Sequence, residues 1–242
     1  IARQFVGERP DVLVGIATPT AQALVSATRD IPVVFTAVTD PVGAKLVSNT
    51  EKPGKNVTGL SDLSPIAQHV ELIKEILPNV KTIGVVYNPG EANSVSLMTL
   101  LKESVAKNGL ELVEATALKS ADVQSATQAI SAKSDVLYAM IDNTVASAIE
   151  GMTIAANQAK TPVFAATTTY IDAGSIAALG FDYYQIGVQT ADYVAAIFEG
   201  EEPGNIPVRI AKGSDIVINK TAAAKLGIEI PQSVLDRATA IK

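Results

Sequence analysis

The chain has 242 residues, room for one large or two small domains, and 48% hydrophobic content supplies a core for each. Its formal net charge of −6 is spread along the sequence without a Lys/Arg cluster, which excludes the electrostatic footprint of a nucleic-acid binder. With no cysteine and one histidine, disulfides, thiolate nucleophiles and Cys-based zinc sites drop out, and no apolar run reaches the ~20 residues of a membrane-spanning helix.

Residues 1–6 read as the end of a helix. From Asp11 the run DVLVGIA is short, β-branched and ends at the polar cluster Thr18-Pro19-Thr20, which opens a helical pattern; PVVFTAV then gives a second strand. Thr suits an N-cap and Pro the first helical position, so the spacing predicts Thr18 as the cap of this helix. The same helix start presents free N–H groups and a positive dipole end that suit a carboxylate, with Thr20 and Gln22 one turn in. After the second strand, TAVTDP places Ala37, Thr39 and Asp40 either in a turn before Pro41 or against the same ligand head.

Further along, Ile66, Val70, Ile73 and Leu77 mark a helix, with His69 expected on its surface beside the apolar stripe. TIGVVYN is a strand, and NPGEANS joins it to the helix marked by Leu97, Leu101 and Val105. Glu91, Asn93 and Ser94 make that connection denser in polar groups than a turn requires, although Asn93 or Ser94 also suits an N-cap. LELVEAT is the next strand.

Residues 135–148, DVLYAMIDNTVASA, then repeat the pattern of residues 11–24, DVLVGIATPTAQAL, and TPVFAATT from Thr161 repeats IPVVFTAV from Ile31. The β-α-β unit therefore occurs twice, which suggests two similar lobes. Open α/β sheets bind ligands beyond the carboxyl ends of their strands, so Thr18–Thr20 and Asp142–Thr144 are expected as facing half-sites, with Thr168 at the end of the second strand. The helix of the second copy carries Val145, Ile149, Met152 and Ala156. Hydroxyls and a helix start on one copy against Asp142 and Asn143 on the other suit a zwitterion, its carboxylate at Thr18 and Thr20 and its ammonium at Asp142.

SIAALGF is the last clear strand, followed by Asp182, a cap or an ammonium partner, and Tyr183; Tyr183, Tyr184, Tyr87 and Tyr170 are the aromatics nearest strand ends. Ile186, Thr190, Val194 and Ile197 mark the final long helix. Residues 201–207 read as a surface connection, and VRIAKGSDIVINK with a short helix from Thr221 returns the chain between lobes. Boundaries are expected at 1–62 plus 184–208 for the first lobe and 63–183 plus 209–242 for the second. The first lobe owns few strands, and a further β-α-β segment is expected upstream of Ile1.

ATPTAQAL, VVFTAVTDPVGAKLV, NVTGLSD, GVVYNPGEANS and LGFDYYQIG closely resemble the substrate-binding proteins of bacterial ABC transporters, in the branch associated with aromatic amino acids such as tryptophan and phenylalanine. The similarity runs in order over nearly the whole chain. It implies an α/β fold of two doubly wound parallel-sheet lobes joined by a hinge, the type I periplasmic binding protein, with three crossovers and an upstream β-α-β segment. It also implies an amino acid as ligand in the inter-lobe cleft, an ABC permease and its ATPase subunit as partners, and a periplasmic or lipid-anchored location. No cofactor, metal or nucleic acid is expected, and the membrane only through the permease or an anchor. A sugar or nucleoside binder or a sensor of the same fold, and an enzyme acting in the cleft, are the competing readings. Against the enzyme, the sequence has no G-x-S-x-G elbow, no Walker A motif and no G-x-G-x-x-G after a strand.

Overall fold

The computed structural model describes residues 1–211 and 215–242. The described chain divides into unit 1, Ile1–Leu63 with Phe181–Lys212, and unit 2, Ser64–Gly180 with Gly213–Lys242. Two passages between them fall at Leu63–Ser64 and Gly180–Phe181. The third lies outside the described residues.

Unit 1 opens with α1 (Ala2–Gly7), β1 (Leu13–Ile16), α2 (Thr18–Ala27), β2 (Val33–Thr36) and β3 (Val57–Ser61). In unit 2 follow α3 (Ile66–Ile76), β4 (Thr82–Tyr87), α4 (Ala92–Lys107), β5 (Glu111–Thr116), α5 (Ser120–Ser131) and β6 (Val136–Ala139). Then come α6 (Asn143–Ala146), α7 (Ile149–Gln158), β7 (Val163–Ala165) and β8 (Ala177–Gly180). The chain returns to unit 1 for α8 (Tyr183–Phe198) and β9 (Arg209–Ile210). It ends in unit 2 with β10 (Asp215–Ile218), α9 (Lys220–Lys225), α10 (Gln232–Leu235) and β11 (Ala240–Ile241).

The sheet of unit 1 runs β1-β2-β3-β9, parallel throughout. β2 and β3 are buried along their whole length, as parallel strands covered on both faces must be, and Val34 and Leu60 pack with Ile186 and Tyr193 of α8. β1 differs: Val14 and Ile16 stay 45% and 65% exposed, so one face of this edge strand is uncovered.

The sheet of unit 2 runs β5-β4-β6-β7-β8-β10-β11. Its first five strands are parallel and follow the doubly wound order 2-1-3-4-5, which reverses between β4 and β6. β10 is antiparallel to β8 and parallel to β11, a mixed edge on a parallel sheet. Leu137, Ala139, Val163 and Ala165 pack against Val145 and Met152 in its core.

Each copy of the repeat is a parallel β-α-β unit, β1-α2-β2 in unit 1 and β6-α6-α7-β7 in unit 2. The stripe Val145–Ala156 is not one helix, however. The Ala148 N–H bonds back to Val145 O, three residues away, and closes the first turn before α7 starts at Ile149. His69 is a second correction: it is fully buried, because the spacing Ile66, His69, Ile73, Ile76 sets its ring on the inward side of α3, against Tyr138 and Phe164. Its Nδ1 lies 2.6 Å from the Tyr138 hydroxyl. Nor are residues 201–207 all surface, since Pro203 and Gly204 are buried in a 3-10 turn beside the Lys55 backbone.

Candidate functional site

At the carboxyl edge of unit 1, β1 and β2 end in the same unusual way. Ala17 and Ala37, each the first residue after its strand, have φ of 67° and 51°, a region that costs a non-glycine residue of order 1 kcal/mol or more and that concentrates at ligand sites. The turn at Ala17 makes Ala17, not Thr18, the residue before α2, which has no side-chain cap. Thr18 is therefore the first helical residue; it is buried, and its hydroxyl is not spent on the helix end. Thr20 is exposed. Gln22 turns away to donate to Ala44 O at 3.0 Å, which ties α2 to the segment after β2.

Along that segment, Asp40 Oδ1 accepts the Gly43 N–H at 2.8 Å in a turn, and Thr39 O accepts the Ser61 hydroxyl. The Thr39 hydroxyl donates to Asp62 Oδ1 at 3.3 Å, and the Tyr183 hydroxyl to Asp62 Oδ2 at 3.0 Å. Asp62, the residue after β3, is missed by the sequence reasoning although it closes the quoted motif NVTGLSD. Burial pushes its carboxyl above the ordinary range, against the pull of the Tyr183 and Thr39 hydroxyls and its own backbone. Asp182 caps α8 by accepting the Tyr184 N–H at 2.8 Å and is exposed.

At the reversal of strand order in unit 2, the loops after β4 and β6 meet. Asp142 is fully buried: Oδ2 accepts the Asn88 N–H at 2.7 Å and the Ser94 hydroxyl at 2.6 Å, and Oδ1 the Val145 N–H at 2.8 Å. Burial raises its carboxyl, and Ser94, Asn88 and Val145 oppose the rise. Glu91 does the reverse. Burial works to raise it, but donors on Asn143, Thr144 and Asn93 outweigh burial and hold it below the ordinary range. It accepts both the N–H and the Nδ2 of Asn143, at 3.0 and 2.7 Å, and both the N–H and the hydroxyl of Thr144, at 3.0 and 2.7 Å.

Asn93 donates through Nδ2 to Glu91 at 3.2 Å, to the Ser94 hydroxyl at 3.3 Å and to Ile141 O at 3.2 Å. Its Oδ1 is buried with no partner. Thr168 opens a 3-10 turn after β7 and is half-buried. Tyr87 is drawn to Glu114 at 3.3 Å, Tyr170 is buried in the core, and Tyr184 is exposed. The residues expected from the sequence thus fall into two clusters by unit: Thr18, Thr20, Gln22, Ala37, Thr39, Asp40, Asp182 and Tyr183 in unit 1, and Glu91, Asn93, Ser94, Asp142, Asn143 and Thr168 in unit 2. Among the described residues no three His, Cys, Asp or Glu side chains gather as a metal site. The chemistry on offer is recognition by hydrogen bonds and charge.

The family model for ABC transporter substrate binding proteins matches residues 1–242. The chain belongs to this family. A tyrosine-binding protein of Clostridioides difficile is 38% identical over 229 residues, which cover 95% of this chain and 66% of that one, so the chain spans just under two thirds of its curated relative. The crystal structure of a conserved domain protein from Vibrio cholerae is 80% identical, covers 100% of this chain and 81% of its own, and superposes with a TM-score of 0.98. An ABC domain from Streptococcus pneumoniae solved in complex with L-Trp is 38% identical, with 100% and 82% coverage and a TM-score of 0.97. This family member has the type I periplasmic binding protein fold, α/β with sheets dominated by parallel strands.

Proposed function

We propose that the chain is the solute-binding component of an ABC importer and takes a free amino acid with an aromatic or large apolar side chain. The observation that carries this reading is the match, over the whole chain, to a domain crystallised with L-Trp. The tyrosine-binding relative points the same way.

The chemistry of the two clusters supports it. A ligand carboxylate suits the start of α2, where the N–H groups of Thr18 and Thr20 and their hydroxyls meet a positive dipole end. Ala37 and Thr39 line the same strand edge. In unit 2 the unpartnered Asn93 Oδ1 is an acceptor for a ligand N–H, while Asp142 and Glu91 hold the loops that carry it. With a permease and its ATPase subunit as partners, the protein works outside the cytoplasm, free or on a lipid anchor, and carries out no turnover of its ligand.

Calorimetric titration with the common amino acids, ribose and a nucleoside tests the assignment. Tyrosine, tryptophan or phenylalanine is the expected ligand, recovered unchanged; binding of sugars alone overturns the reading, and so does conversion of the bound compound.

We also infer that a β-α-β segment preceding Ile1 in the natural protein covers the open face of β1, because Val14 and Ile16 are apolar residues of a parallel strand left in water. Hydrogen exchange at Leu13–Ile16 is expected to slow when the preceding residues are restored. Unchanged exchange there contradicts the inference.

A further inference from the structure

Asp62 is a buried acid with a deficit of partners. Its residue is 1% exposed, yet beside its own backbone its partners are neutral hydroxyls, those of Thr39 and Tyr183. Among the described residues no Lys, Arg or His forms an ion pair with it. A carboxylate offers about four acceptor positions, so these partners leave acceptor capacity open. The other acids of the two clusters are spent: Glu91 and Asp142 on backbone and side-chain donors, Asp40 on a turn and Asp182 on a helix end.

Stability alone gives no reason for this arrangement. Burying an unpaired carboxylate is costly, and an asparagine of the same shape would accept one hydroxyl at its oxygen and donate its NH2 to the other, without the charge. The position is informative as well. Asp62 follows β3 directly, at the sheet edge where Ala17 and Ala37 hold strained backbone and where Thr18 and Thr20 open α2. Thr39, buried, and Tyr183, at the start of α8, fix both carboxylate oxygens in orientation.

Resting on the amino-acid reading above, we propose that Asp62 is the cation acceptor of the site and receives the α-ammonium of the ligand, with Thr39 and Tyr183 as the residues that position it. The ammonium supplies the missing cation and turns the open acceptor positions into charge-assisted hydrogen bonds. Burial raises the Asp62 carboxyl when no cation is present, and the Tyr183 phenol is the titratable group that faces it. Ligand binding therefore releases a proton from the fraction of molecules in which Asp62 holds one. Affinity for the zwitterion declines as pH falls through that raised value.

The test pairs Asp62→Asn with a ligand that lacks the amine. L-tyrosine and 3-(4-hydroxyphenyl)propionate are titrated into the parent chain and the variant by calorimetry. Asp62→Asn is expected to weaken L-tyrosine by about 30-fold or more, the scale of a buried charge left unpaired. The deamino compound is expected to bind both proteins alike, within about twofold, and this separates recognition of the ammonium from a general structural role. Equal weakening of both ligands overturns the proposal, as does L-tyrosine binding to the variant within about threefold of the parent.

A parent that binds L-tyrosine while the variant binds it equally leaves the importer reading standing and removes only Asp62 from it; a parent that binds no amino acid removes the reading itself. Should the variant not fold, the parent alone decides. Titration of L-tyrosine in buffers of different ionisation enthalpy, repeated at successively lower pH, must show proton release on binding that grows as pH falls toward the raised Asp62 value. Absence of release as pH is lowered counts against Asp62.

Discussion

Asp142 receives three hydrogen bonds on a carboxylate that water does not reach, two of them from backbone N–H groups, one in the loop after β4 and one in α6. Replacing it by Asn sets an NH2 against at least one of those donors, whichever way the amide turns. Asp142→Asn is therefore expected to destabilise unit 2 by about 1–3 kcal/mol, the cost of a buried donor left unsatisfied, measured by urea denaturation. A variant as stable as the parent would show that the loops after β4 and β6 do not depend on this carboxylate. The repeat in the sequence was enough to locate Asp142 at a strand end. What it could not reveal is how completely the side chain is used, because Asn88 and Ser94 lie 54 and 48 residues away in the chain. Asp62 was illegible for the same reason: an acid after a strand looks like a turn residue until Tyr183, 121 residues later, is brought against it.

In β3 and α8 one substitution has opposite consequences. A Cβ added at Gly59 meets Phe35 O of the neighbouring strand at 2.0 Å, a backbone atom that cannot step aside without opening the β2–β3 ladder. Gly187 lies inside α8 with nothing within 4 Å of an added Cβ. Gly59→Ala is expected to lose about 3 kcal/mol or more through overpacking against fixed backbone. Gly187→Ala should gain about 0.5–1 kcal/mol from helix propensity. Melting temperatures of the two variants should fall on opposite sides of the parent; a shift in the same direction would contradict the packing around β3. The same glycine explains why β3 is hard to see in the sequence: VTGLS is short and lacks the bulky run that marked β1, β2, β4 and β6. The long helices α3, α4 and α8 were legible because one face of each is buried and the apolar period survives along it. The break between α6 and α7 was not. Glu91 ties the N–H groups of Asn143 and Thr144 to the α4 loop, a constraint from outside the helix that leaves its apolar spacing unchanged.

For the molecule as a whole, three buried titratable groups give stability a pH dependence with opposing signs. Burial raises Asp62 and Asp142, so the folded chain holds protons there that the unfolded chain has lost; that contribution favours folding at low pH and is lost as pH rises through their folded values. His69 acts the other way. Packed between Tyr138 and Phe164, it is held down at about 3 by burial, against 6.5 in the unfolded chain. Between those values the unfolded chain binds a proton that the folded chain refuses, so the stability His69 supplies is complete above 6.5 and drains away as pH falls toward 3. At about 1.4 kcal/mol per pH unit, the loss from this group between about pH 7 and pH 5 is ~2 kcal/mol. His69→Gln keeps a hydrogen-bonding group near the Tyr138 hydroxyl and removes the titration. Urea denaturation of the parent and the variant at the two pH values isolates the His69 contribution, since Asp62 and Asp142 are common to both. The parent should lose about 2 kcal/mol more than His69→Gln on acidification. Equal losses would mean that the imidazole takes up its proton in the folded state near its ordinary value, and that the contact with Tyr138 is made by a charged ring.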